Sequence, residues 1–99
     1  MAKSGDNTAT ERMVAKYRDL IANFVGGGMS AQNFESAYLQ VFKTDRDQVP
    51  GREFDVLEKL FFAIDDYVAD PALREKVGGL NDDELRARVE ETYTLLYGN

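Results

Sequence analysis

Apolar residues recur at three- and four-residue steps through four stretches of this chain, and glycine, proline or capping residues mark the breaks between them. From about Thr10, Met13, Val14, Tyr17, Leu20, Ile21, Phe24 and Val25 form the first stripe. Gly26-Gly27-Gly28 then ends it, since glycine readily takes the left-handed conformation of helix ends. Ser30 is a good N-cap for a second helix with the stripe Phe34, Ala37, Tyr38, Val41 and Phe42. Residues 44–51 form a polar loop closed by Pro50-Gly51. A third helix is expected from about Arg52 to Ala69. At about 100° per residue, Phe54, Leu57, Leu60, Phe61, Ile64 and Val68 share one face of it, flanked by Val56 and Tyr67. Asp55, Glu58, Lys59, Phe62, Asp65 and Asp66 point the other way.

Asp70-Pro71 reads as a cap followed by proline at the first helical position. Leu73 and Val77 make the next piece a short amphipathic turn or two, ended by Gly78-Gly79. Asn81-Asp82-Asp83-Glu84 is a capping-box start with acids where the helix dipole favours them. The last stripe is Leu85, Val89, Thr92, Tyr93 and Leu96. Nothing alternates with period two, so no strand is expected. Short connections favour antiparallel neighbours. The expected fold is therefore all-α: an antiparallel up-and-down four-helix bundle with a short extra helical segment before the last helix. Residues 1–9 are expected to be a flexible polar tail, and residues 10–99 a single domain.

Charge is distributed unevenly over this pattern. Residues 1–50 carry six basic and six acidic side chains, whereas residues 51–99 carry six basic and twelve acidic. The whole net charge of −6 thus sits in the second half. Glu53, Asp55, Glu58, Asp65, Asp66 and Asp70 fall within eighteen residues, opposed only by Lys59. A one-sided acidic field attracts basic partners and repels nucleic acid and anionic membrane. Lys43, Arg46 and Arg52 cluster too loosely to read as a nucleic-acid site.

Composition narrows the chemistry further. The chain has no Cys and no His. Disulfides, thiolate nucleophiles and the commonest general base and metal ligand are therefore absent. No enzymatic activity, cofactor or metal is expected. Met29 follows the glycine triplet where a phosphate loop needs Lys and Ser or Thr. Asp45 and Asp47 resemble the start of a calcium loop, but Pro50 and Val56 stand where that loop needs Gly and Glu. No apolar run approaches the roughly 20 residues of a membrane span, and residues 1–8 lack a secretion signal's hydrophobic core. A cytoplasmic location is the expectation.

The candidate partner-binding residues are Asp55, Glu58, Phe62, Asp65, Asp66 and Asp70. Each has a plainer reading. Asp65 and Asp66 alone would pass for a solvated helix face, and Asp70 for a cap that satisfies free amides. Phe62 is the most diagnostic, because an aromatic ringed by carboxylates resembles a binding hot spot with a polar rim. Its plainer reading is a boundary residue covered by the 71–77 segment or a neighbouring helix. Tyr38, Tyr67, Tyr93 and Tyr97 read as core-edge residues with wet hydroxyls.

Taken in order, several groups of residues resemble the colicin D immunity-like family of bacterial self-protection proteins. They are Leu20-Ile21, Phe24-Val25, Gly28-Met29-Ser30-Ala31, Phe34-Glu35, Tyr38-Leu39, Phe42-Lys43 and Asp45. Further on come Phe54, Leu57, Leu60-Phe61, Asp65, Tyr67, Asp70-Pro71, Leu73-Arg74 and, in the acidic-start last helix, Leu85-Arg86. The resemblance covers roughly residues 17–95, and its specificity lies in order and spacing rather than in any single motif. It implies a helical immunity protein that binds the nuclease domain of a cognate toxin. In the best-known branch the toxin cleaves transfer RNA in the anticodon loop, and the acidic inhibitor covers its RNA-binding cleft.

The expected function is thus inhibition of a bacteriocin-like or contact-dependent ribonuclease, with transfer RNA as the toxin's target. A basic toxin nuclease domain is the partner, without direct contact to nucleic acid or membrane. A monomer is the favoured state. The alternative is a small acidic helical adaptor that binds a basic surface on an unrelated protein, as a homodimer or alone. A toxin gene beside this one separates the two.

Overall fold

The computed structural model describes residues 2–98, with side chains from Thr8 onward. The side chains of residues 1–7, most of the expected tail, lie outside the described residues. Five helices follow in order: α1 (Ala2–Val25), α2 (Ala31–Thr44), α3 (Arg52–Asp65), α4 (Pro71–Val77) and α5 (Asp82–Leu96). The fold is all-helical, as the apolar periodicity predicts. Among the described residues the only sheet-like pairing is an isolated parallel bridge between Tyr67 and Leu80.

The four long helices form the bundle. α1 packs against α2 and α5, and α3 packs against the same two helices from the other side. Each contributes its stripe to one core. Met13, Tyr17, Ile21 and Phe24 come from α1, Phe34 and Tyr38 from α2, Leu57, Leu60 and Ile64 from α3, and Leu85 and Val89 from α5. Aromatic rings link the layers. Phe24 stacks on Phe34 at 4.5 Å and Phe42 on Phe61 at 4.6 Å between centroids, adding to area burial. Tyr38 is fully buried rather than at the core edge, and its hydroxyl donates to the Leu57 carbonyl at 2.8 Å. That bond satisfies a polar group that burial would otherwise strand.

The start signals work as read. The Ser30 hydroxyl accepts from the Asn33 amide at 3.1 Å. Asn81 and Glu84 form a reciprocal capping box at 2.8 and 2.9 Å. Asp70 accepts from the Ala72 amide at 3.0 Å, so its cap role is real.

The third helix is shorter than expected. It ends at Asp65, not Ala69. The reason is a tertiary pairing that periodicity does not report. The Val68 amide donates to the Leu80 carbonyl at 3.0 Å, and the Leu80 amide donates to the Asp66 carbonyl at 2.8 Å. Gly79 permits this crossing, since a Cβ there would lie 2.4 Å from Val68 Cγ2 and 2.5 Å from the Asp66 oxygen. Tyr67 consequently turns inward, only 6% exposed, and its hydroxyl donates to Asp82 at 2.6 Å. Burial, together with the Asp82 carboxylate, pushes that phenol up to about 12. The Arg74 guanidinium holds the same turn by donating to the Val68 and Ala69 carbonyls. α4 leaves its two large apolar residues, Leu73 and Val77, exposed.

The 44–51 loop uses its acids internally. The Asp45 side chain is wholly buried. It accepts from the Lys16 ammonium at 2.5 Å, the Tyr17 hydroxyl at 2.8 Å and the Asp47 amide at 2.8 Å. Burial alone would raise its pKa, but these donors outweigh burial and lower it.

Candidate functional site

α3, like the other long helices, keeps one side in solvent. Its inner side, Leu57, Leu60 and Ile64, enters the core. Phe54 and Phe61 lean toward α2, where both stack on Phe42. At about 100° per residue, the remaining arc carries Asp65 and Glu58 toward α2, Phe62 in the middle, and Asp55, Asp66 and Lys59 toward α5. Asp55, Asp65 and Asp66 are exposed and Glu58 is half-buried. None of these four carboxylates makes an ion pair with the described residues.

Phe62 is 57% exposed, so neither α4 nor a neighbouring helix covers it. Its ring is nevertheless held. It meets Phe61 edge-on, with centroids 5.6 Å apart and planes at 67°. Phe61 in turn stacks on Phe42, which stacks on the buried Tyr38 at 6.0 Å. The exposed ring therefore ends a row of aromatics rooted in the core. A ring supported in this way loses little conformational freedom on binding.

The structure brings Asp55, Glu58, Phe62, Asp65 and Asp66 onto one exposed side of α3. Asp70 is set apart from them. Because α3 ends at Asp65, Asp70 lies beyond an irregular turn, and it caps α4. One further acid was not anticipated. Glu35 on α2 is half-buried and feels Asp65 across the helix pair. Burial first, and the Asp65 charge second, raise the Glu35 pKa above its ordinary value. It is the one acid of α2, and only the α2–α3 packing shows that it sits near Asp65.

On the α5 side the same helix borders a groove of about 400 Å³. Val56, Leu60, Ala63 and Leu95 give it an apolar floor, and Asp55, Lys59, Arg88 and Glu91 stand among its rim residues. Among the described residues no group of three or more His, Cys, Asp or Glu could hold a metal ion. No described helix is long and apolar enough to cross a membrane. The α3 face thus presents an exposed aromatic ring with unpaired carboxylates and Lys59 around it.

The family model described as bacterial self-protective colicin-like immunity matches residues 13–96. That range runs from Met13, buried in α1, to the last residue of α5 and takes in the whole α3 face. No curated protein and no solved structure matches the chain.

Proposed function

We propose a mode of action that starts from one premise: the chain belongs to the bacterial self-protective colicin-like immunity family. It is accordingly an immunity protein that binds a cognate toxin, in a family of inhibitors rather than enzymes. The toxin carries a basic ribonuclease domain, with transfer RNA as its substrate, and the complex forms in the cytoplasm of the producing cell. The outer face of α3 covers the toxin's RNA-binding cleft. Asp55, Glu58, Asp65 and Asp66 stand where substrate phosphates would lie, and Phe62 packs into the cleft as the apolar anchor. Asp70 adds negative charge at the edge of that footprint.

The observation that carries this reading is the exposed, core-braced Phe62 ring among unpaired carboxylates. Electrostatics bring the proteins together quickly, because an acidic face and a basic cleft attract beyond contact range. The desolvated aromatic and the paired carboxylates then slow dissociation. Inhibition requires no chemistry from this chain: occupying the cleft denies it to RNA.

The test is co-expression. The reading frame adjoining this gene is expected to encode a protein with a basic C-terminal domain that degrades transfer RNA. Cells making that domain should survive only with this chain, and a combined Phe62→Ala, Asp65→Lys, Asp66→Lys variant should fail to protect while remaining folded by circular dichroism. Full protection by the folded triple variant would overturn the proposed face. A toxin domain that leaves RNA intact would overturn the ribonuclease assignment.

A further inference from the structure

The groove between α3 and α5 is less acidic than the face beside it, because Arg52, Lys59 and Arg88 line it together with Asp55 and Glu91. Lys59 and Arg88 are both exposed, both line it, and neither makes an ion pair among the described residues. Arg52, a third cation, stands at the end, where its guanidinium pairs with Glu53 at 3.8 Å and reaches the Leu95 carbonyl. Between them lies the apolar floor, with Leu95 itself 48% exposed. These cations work against the attraction of a purely basic partner. Each unpaired cation at the edge of an acidic binding face weakens contact with any surface made only of Lys and Arg. Like-charge juxtaposition is a recognised means of rejecting wrong partners.

We infer that the α3–α5 groove is the selectivity half of the toxin-binding surface, seating a segment of the cognate toxin that presents an apolar side chain beside a carboxylate. This rests on the α3 face being the toxin-binding face. Two observations favour that occupant. The groove is continuous with the face, since Asp55 and Lys59 belong to both by helical position. Its charge complementarity is also specific. An apolar side chain fills the space over Val56, Leu60, Ala63 and Leu95, and a carboxylate pairs with Lys59 or Arg88; Asp55 and Glu91 share the groove with these cations but do not ion-pair with them. The acidic face alone attracts every basic nuclease to a similar degree. The groove distinguishes among them, because a nuclease lacking the carboxylate leaves two cations facing positive charge.

The decisive variant is Lys59→Glu, which makes the protein more acidic. If acidity alone sets affinity, it binds a basic toxin faster and tighter. If the groove accepts a toxin carboxylate, it dissociates about tenfold faster or more, despite an equal or faster association rate. Leu95→Trp, at an exposed position, fills the groove without a change of charge and should also accelerate dissociation about tenfold, with the salt dependence of association unchanged.

Binding kinetics would be measured with the purified toxin domain encoded beside this gene, using wild type, Lys59→Glu, Leu95→Trp and Asp66→Lys, each first checked for a wild-type melting profile. Slower association for Asp66→Lys, with faster dissociation for both groove variants, supports the inference. An Asp66→Lys effect with wild-type dissociation of both groove variants overturns the inference and leaves the α3 face standing. Wild-type kinetics for all three overturns both. A wild-type dimer that Leu95→Trp converts to a monomer, with toxin binding intact, assigns the groove to a second copy of this chain and also overturns the inference.

Discussion

The Tyr17 hydroxyl donates a 2.8 Å hydrogen bond to Asp45, a carboxylate with no exposed surface. Tyr17 lies in the core, so this bond fixes the 44–51 loop to α1 from the inside. Asp45→Ala strands the buried phenol and should cost roughly 1–3 kcal/mol in urea unfolding. The pH dependence has a definite sign. Asp45 is held below its ordinary value of 3.8. Its contribution is therefore full above that value and is lost as pH falls through the lowered folded value. The stability gap between wild type and Asp45→Ala should narrow as pH falls below that ordinary value; a gap unchanged into strong acid would contradict the assignment.

Glu35 behaves oppositely. Burial and then the Asp65 charge raise its pKa in the folded chain above 4.5. The folded state thus holds the proton more tightly than the unfolded chain, and ionised Glu35 weakens folding. The cost is absent below the ordinary value and sets in as pH rises through the folded value. Glu35→Gln should raise the melting temperature at pH 7, with the gain vanishing in acid, and should slow association with a basic toxin. Lower stability at pH 7 would show that the carboxylate is a structural partner instead.

Gly79 should tolerate no side chain. A Cβ would meet Val68 and the Asp66 carbonyl well inside van der Waals contact. Gly79→Ala should cost roughly 1–3 kcal/mol and disturb the turn that separates α3 from α4. A wild-type denaturation midpoint would refute the close crossing.

Leu57 sits at the centre of the core, fully buried, and Leu57→Ala should cost roughly 2–5 kcal/mol. Phe61 is half-buried and stacks on Phe42. Phe61→Ala should be less damaging to folding but should loosen the support under Phe62 and speed toxin release. Equal effects on folding, with no effect on release, would argue against the aromatic row as a brace.

The helices were legible in the sequence because their stripes and caps are local signals. Ser30, Asp70 and the Asn81–Glu84 box act as their residue types suggest. The end of α3 was not legible, because Tyr67-Val68 leave the helix to pair with Leu80, a contact between residues far apart in sequence. On the outer face, the α3 periodicity located Phe62 and its carboxylates. It could not show that Asp70 lies off that helix, that Glu35 reaches Asp65 from α2, or that Lys59 and Arg88 border one groove. Each of those depends on two elements coming together. The same limit applied to Asp45, whose calcium-like spacing conceals a buried contact to α1.

Toxin binding by the outer face of α3 can be read from one kinetic series: association and dissociation rates of wild type, Asp65→Lys, Asp66→Lys and Phe62→Ala against the cognate toxin domain across a range of salt. Wild type should associate at up to roughly 10⁸ M⁻¹s⁻¹ at low salt and slow steeply as salt rises. Asp66→Lys should lower that rate and flatten its salt dependence. Asp65→Lys and Phe62→Ala should chiefly speed dissociation, Asp65→Lys at a cost of about 2–5 kcal/mol. Wild-type kinetics in all three variants, with binding abolished instead by changes in the 44–52 loop, would contradict the acidic face of α3 as the binding surface.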